Sequence, residues 1–406
     1  MKLISQEIFY KTPKQGVVCG GDSGYTRPTG VEKMRRRTIL TKSDSCDSFE
    51  YGFSADNGRT WSDMESTSVY EMLSGGGTVR RNIMPGWVDP ENGRLLTLYI
   101  EAQLPHDDPV AEGQTNRFMK YQVSLDGGRT QALDEMIVQE GYTQEQPMRG
   151  VTVGKNAVFM GDNGCEPIRT QNGRLLVPVQ VCPAGPDGKY FNPGGGYTYH
   201  EAAVLIGRWR SEQPDGRKDD LGISWDLSPY IRNDPKKSTR GALEPTIAQF
   251  QDGRILMVLR GSNDVKPELP GYRWFTVSED EGDTWAPVQP WTYTDGQSFY
   301  SPSSMSQLLQ HSNGNTYWLG NISEKNPHGN GPRYPMVIGR VDPESLLLEQ
   351  DSLFTVDDRK PGEHASLTLS SFHAHEDRET GDILLHMSRW MTNDWTTDAQ
   401  LYRIGV

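Results

Sequence analysis

The sequence predicts an all-β fold, a β-propeller of six four-stranded blades, with a seven-bladed ring as the alternative that its length also accommodates. Three observations predict it. One is a turn of the form Ser-x-Asp-x-Gly-x-Thr-Trp, present as SADNGRTW (Ser54 to Trp61) and SEDEGDTW (Ser278 to Trp285), and in weaker form as SLDGGRTQ (Ser124 to Gln131). The second is a hairpin with a turn glycine that recurs along the chain. The third is composition: 406 residues with 43 Gly, 26 Pro, 17 Tyr and 10 Trp, 34% hydrophobic, as expected of short strands joined by turns.

Taken in chain order, the N-terminal stretch MKLISQEIFYKTPKQ reads as a strand, about Leu3 to Tyr10, that supplies the outer strand of the last blade and closes the ring. The first hairpin is degenerate, GVEKMRRRTIL from Gly30 to Leu40, and its run Arg35-Arg36-Arg37 reads as a solvated strand face. DPENGRLLTLYI, RTQNGRLLVPVQV, QFQDGRILMVLR, HSNGNTYWLGNI and RETGDILLHMSR follow, with turn glycines Gly93, Gly173, Gly253, Gly314 and Gly381, each leading into a buried strand. Several units carry a proline upstream: Pro28, Pro85, Pro167, Pro245 and Pro302. The Ser-x-Asp-x-Gly turns each follow a strand-like run, FEYGF, MKYQV or RWFTV. There the Asp side chain can accept from backbone N–H groups, the glycine permits φ > 0, and the tryptophan covers the base of the hairpin. Six hairpins spaced by about 50 to 80 residues are the repeat of a propeller, read here as one domain over residues 1–406.

Bulk properties exclude several function classes. A net charge of −13 speaks against nucleic acid as a partner, although a local basic pocket remains compatible with it. No stretch approaches the roughly 20 apolar residues of a membrane helix, so no membrane partner is expected. The N-terminus lacks the basic, apolar and small-residue zones of a signal peptide. The sequence as it stands therefore reads as cytoplasmic, or as secreted or periplasmic if a leader has been removed. Four scattered cysteines, Cys19, Cys46, Cys165 and Cys182, with no CxxC pair, read as buried thiols rather than a disulfide framework or a zinc site. No EF-hand-like loop is present, and neither a metal nor a cofactor is expected.

The Ser-x-Asp-x-Gly-x-Thr-Trp turns resemble the Asp-boxes of the sialidase superfamily, and the layout of hairpins resembles it over nearly the whole chain. The resemblance implies a sialidase-like propeller, with the Asp-boxes as blade architecture and the chemistry where the innermost strands converge on the axis. LEPTIAQFQDGRILMVLRGSN resembles the stretch in which a glutamate opens one strand and an arginine ends the next, which maps onto Glu244 and Arg260. The resemblance further implies three arginines around a substrate carboxylate, whose planar forks suit carboxylate oxygens. Arg260 takes the second place. Arg27 in GYTRPTG falls near the first, although sialidases usually place one residue between that arginine and the proline, and Arg333 in NPHGNGPRYPMVIGR takes the third. The implied acid/base aspartate lies in TKSDSCDSFEYGF, as Asp47 in preference to Asp44, with turn capping as the alternative for both. The implied nucleophilic tyrosine falls on Phe372 in LTLSSFHAHEDRETGD, which has no hydroxyl; Tyr300 in SFYSPSSM is the neighbouring hydroxyl.

Histidine offers a different chemistry. NPGGGYTYHEAAVLIGRW places Tyr197, Tyr199 and His200 at the start of an apolar strand, and His373 and His375 flank Phe372. Propeller lyases and rhamnosidases resemble this architecture and are expected to use histidine, with tyrosine in some. In a lyase an arginine neutralises the uronate carboxylate while His200 or Tyr199 removes the α-proton. Glu166 repeats the Glu-Pro placement of Glu244, as a substrate contact, as the second of an acid/base pair, or as a ligand for a hard cation. The expected function is hydrolysis of a terminal glycosidic bond of an acidic oligosaccharide or polysaccharide. A lyase or rhamnosidase-like enzyme on uronate-containing glycans is the alternative, and a non-catalytic glycan-binding propeller is the reading from another class.

Overall fold

In the computed structural model, which describes residues 1–41, 46–104, 117–151, 158–214, 216–391 and 394–406, the chain forms six antiparallel sheets. Blade 1 comprises Val18–Tyr25, Lys33–Leu40, Ser48–Ser54 and Glu65–Thr67, from the axis outwards. Blade 2 is built on Leu95–Leu104, Arg117–Ser124 and Leu133–Met136, with Trp87–Val88 inside and a hairpin, Tyr70–Met72 and Thr78–Ile83, added beside it. Blade 3 runs Leu175–Val181, Glu201–Trp209 and Ile223–Leu227. Its innermost strand is split into Val158–Phe159, opposite Gln180 and Val181, and Ile168–Arg169, opposite Leu175 and Leu176. Blades 4 and 5 are regular, Leu243–Gln249, Ile255–Arg260, Arg273–Ser278, Gln289–Pro290, then Gln307–Gln310, Thr316–Asn321, Met336–Val341, Phe354–Asp357. Blade 6 has His373–Glu376, Ile383–Met391 and Ala399–Gly405, and its outermost strand is the N-terminal Lys2–Tyr10. Each blade touches the next, and blade 6 packs against blade 1, so the ring is closed. Six blades, with the N-terminal strand as the closure, agree with the sequence reading. Among the described residues no helix is long and apolar enough to cross a membrane.

The recurrent turns behave as local sterics requires. All six hairpin glycines, Gly30, Gly93, Gly173, Gly253, Gly314 and Gly381, adopt positive φ between 71° and 91°. The three Asp-boxes lie between the third and outermost strands of blades 1, 2 and 4 and share one hydrogen-bond pattern. The serine hydroxyl accepts from the glycine N–H at 2.8 Å in each, for Ser54, Ser124 and Ser278. The aspartate accepts from the threonine N–H at 2.8, 2.9 and 2.8 Å, for Asp56, Asp126 and Asp280. Each box also clasps the first hairpin of the preceding blade: Asn57 donates to Asp377 at 2.8 Å, Arg129 to Glu32 at 3.1 Å, and Thr170 to Glu281 at 3.2 Å. Between the blades lies the core, where Trp209, Trp291, Trp318, Tyr121, Tyr402 and Phe372 are fully buried. The four cysteines are buried and none is in a disulfide.

Candidate active site

The innermost strands enclose an axial cavity of about 740 Å³ lined by residues of all six blades. Five arginines line it, Arg36, Arg117, Arg240, Arg260 and Arg333, against three carboxylates, Asp22, Asp162 and Glu244, among the described residues. The cavity is thus positive in a protein whose net charge is −13, and its low-dielectric walls concentrate that field.

Arg260 ends the strand Ile255–Arg260 and is only 7% exposed. It forms an ion pair with Glu244, donates from Nε to Ser303 Oγ at 2.8 Å, and donates from Nη2 to Asn330 Oδ1 at 3.0 Å. Arg333 uses the same two residues through their carbonyls, donating to Asn330 O and Ser303 O, both at 3.0 Å. Two guanidinium groups are therefore fixed by one shared frame. Glu244 sits where the pairing of Leu243–Gln249 slips between Leu243 and Thr246, with φ at 41°. A non-glycine residue at such a bulge holds strain and is re-aimed out of the regular pleat, here into the cavity. Its N–H donates to Gln180 Oε1 at 2.8 Å, and its Oε2 has no hydrogen-bond partner among the described residues.

Asp162 comes from the loop that separates the two halves of blade 3's innermost strand. That loop crosses the axis. At Gly161 a Cβ would lie 2.4 Å from Glu244 Cγ, and at Gly164 it would lie 2.3 Å from the Ser306 carbonyl oxygen of blade 5. At its end Glu166 meets His373 Nε2 of blade 6 at 2.7 Å and accepts from Gln307 of blade 5 at 3.1 Å. Asp162 is enclosed by protein yet open to the cavity's solvent, and burial together with the charge of Glu244 pushes its carboxyl up to about 7. Two carboxylates forced together in this way hold a proton that isolated ones release. Burial, then the charges of Arg240 and Arg117, keeps His200 well below its ordinary value, so its imidazole is neutral. Burial pulls His373 down, but the Glu166 carboxylate outweighs it and the net direction is upward. Among the described residues no three His, Cys, Asp or Glu side chains are grouped to hold a metal ion.

Of the residues singled out in the sequence, Arg260, Arg333, Glu244 and His200 share this cavity, as do Tyr197 and His373. The others lie elsewhere. Arg27 follows the far end of Val18–Tyr25, on the side of the Asp-boxes, where it donates to Leu125 O at 2.8 Å and faces Glu32 at 3.6 Å. The strand runs away from the cavity, so the residue after it reaches the opposite rim. Arg36, assigned to a solvated face, is instead buried in the cavity and paired with Asp22. Asp47 caps the turn, accepting from Thr41 N and Oγ1 at 2.7 Å each, and is outside the cavity lining; Asp44 lies outside the described residues. Tyr199, just before Glu201–Trp209, is outside the axial lining and faces a second cavity instead, donating to Asn233 O at 3.3 Å. Glu166 is held by His373 below the lining. Phe372 is fully buried among Met305, Leu369 and their neighbours, with Ser371 and His373 facing the cavity on either side. Tyr300 stacks on Tyr272, 6.0 Å between centroids, and His375 stacks between His373 and His386 at 5.9 and 5.7 Å. The sequence reading did not find Asp162, Arg117 or Arg240. GDNG around Asp162 reads as a turn, and Arg240 in STRGALEP has only its nearness to Glu244 as a signal.

A family model described as BNR repeat-like domain matches residues 112–359. Solved structures are similar in fold at low identity. A protein of unknown function from Dyadobacter fermentans is 13% identical with a TM-score of 0.64, covering 100% of this chain and 99% of that one. The intramolecular trans-sialidase from Ruminococcus gnavus, in complex with oseltamivir carboxylate, is 12% identical at TM-score 0.62, covering 100% and 98%. NanB sialidase from Streptococcus pneumoniae is 12% identical at TM-score 0.61, covering 98% and 70%. No curated protein matches the sequence.

Proposed function

The chain belongs to the BNR repeat-like domain family and has the sialidase-like propeller fold, and from that premise we propose that it is a carbohydrate-active enzyme hydrolysing a terminal glycosidic bond of an acidic glycan. The observation that carries this reading is the excess of arginine in the axial cavity, set around Asp162 and Glu244. Arg260 and Arg333, on their shared Ser303–Asn330 frame, bind the substrate carboxylate, each charge-assisted bond contributing roughly 1.5–3 kcal/mol. Asp162, protonated up to about pH 7, gives its proton to the leaving oxygen as the glycosidic C–O bond breaks. Water adds to the anomeric carbon, and its proton passes to Oε2 of Glu244, the oxygen not engaged by Arg260. This route needs no tyrosine nucleophile, in keeping with Phe372 in the core.

The test is release of reducing sugar from a panel of sialosides and uronate-terminated oligosaccharides. Asp162→Asn lowers kcat by roughly 10²–10⁴-fold on the responsive substrate, the range for losing a general acid. One observation favours the lyase reading as a second: His200 is a neutral imidazole in the same cavity beside Arg240, fit to take a proton next to a neutralised carboxylate. An unsaturated, ultraviolet-absorbing product that disappears with His200→Ala and persists with Asp162→Asn selects it.

A further inference from the structure

Beside the axial cavity lies a second one of about 580 Å³, walled by Phe191, Pro193, Tyr199, Tyr230, Glu201 and Asn233. The two are separated by the short segment that leads into Glu201–Trp209, and its residues divide between them: His200 lines the axial cavity while Tyr199 and Glu201 line the second. Glu201 is 3% exposed; its Oε1 accepts from Arg232 at 2.9 Å, and its Oε2 has no hydrogen-bond partner among the described residues. Asn233, also 3% exposed, has Nδ2 without a partner among them. One wall thus holds a buried acceptor and a buried donor, each costly to leave unpaired.

We infer that this cavity is a non-catalytic binding site for a neutral sugar ring. A hydroxyl group both donates and accepts, so a pair of ring hydroxyls satisfies Glu201 Oε2 and Asn233 Nδ2 together, while the C–H face packs on the aromatic and proline rings. An acidic sugar is opposed by the Glu201 carboxylate, whose partner Arg232 is largely in solvent. A purely apolar ligand leaves both polar atoms unpaired. A proline-rich peptide offers rings but few N–H donors for Glu201. The site neither requires nor performs cleavage, and it stands independently of the reaction proposed for the axial cavity.

The experiment is saturation-transfer NMR and thermal shift on the full chain with methyl β-galactoside, methyl β-glucoside and lactose. Wild type and Asp162→Asn are expected to bind one of them equally. Glu201→Gln weakens that binding about tenfold, the effect of exchanging one charge-assisted acceptor. Phe191→Ala, at an exposed position (42%) where the fold is not at stake, also weakens it. Absence of binding by every neutral probe overturns the inference. So does binding lost in Asp162→Asn but kept in Glu201→Gln and Phe191→Ala, which places the sugar on the axis. A thermal shift with a polyproline peptide and with none of the sugars would assign the pocket to a peptide and overturn it too.

Discussion

Asp162 reaches Glu244 because the residue before it is a glycine, with no room for a Cβ against the Glu244 side chain. Gly161→Ala therefore separates the two carboxylates or overpacks them, at roughly 1–3 kcal/mol of stability, and is expected to lower kcat more than it raises KM. The proximity also has a sign in pH. Asp162 holds its proton to about 7 in the folded protein, against 3.8 for an ordinary aspartate, so ionising it costs folding stability as pH rises between these values. Asp162→Asn removes that cost. The variant is expected to gain stability over wild type at pH 8, of the order of a few kcal/mol at most, and almost none below pH 4. Thermal unfolding at the two pH values checks this, and a difference independent of pH contradicts the assignment. Arg260 has the opposite standing: removing it leaves Glu244 buried and unpaired, and Arg260→Met is expected to cost about 3–5 kcal/mol in denaturant unfolding.

At the scale of elements, the Asp-boxes are stitches between blades, and none of their residues lines the axial cavity. Ser278→Ala strips the acceptor from the Gly282 N–H in a buried turn. It is expected to cost about 1–3 kcal/mol while leaving glycan turnover unchanged, which denaturant titration and an activity assay measure side by side. These turns and the six hairpin glycines were legible because each is a local rule repeated: a side-chain acceptor two or four residues from its donor, a positive φ that only glycine adopts freely. Glu244 and Arg260 were legible for a related reason, since they stand near the two ends of one hairpin marked by its turn glycine, Gly253. The loop carrying Asp162 obeys no repeat. It splits the innermost strand of one blade and takes its meaning from blades 5 and 6, which are far off in the chain. The position of Arg27 was misjudged because the sequence marks a strand's neighbourhood but does not say which end of the strand opens on the cavity. For Arg36 an arginine run on a strand hid the member whose partner, Asp22, stands on the innermost strand beside the cavity.

Across the whole molecule, ring closure and charge segregation set what the site can be. The N-terminal strand pairs with Ala399–Gly405 along its length, from Lys2 opposite Gly405 to Tyr10 opposite Ala399. Deleting residues 2–10 exposes that edge, and the truncated chain is expected to melt at lower temperature and to aggregate in light scattering. A closed ring holds residues of all six blades on one axis, so a few arginines give a positive cavity inside an acidic protein. Under the proposed function that contrast is what would draw an anionic substrate to the axis, and binding there is expected to weaken with salt. The most direct test is turnover of the sialoside and uronate panel by wild type and Asp162→Asn, read for reducing sugar and for ultraviolet absorbance together. The account predicts reducing sugar from an acidic glycan without an absorbance rise, and its near loss in the variant; reducing sugar released equally by both proteins, or by neither, contradicts it.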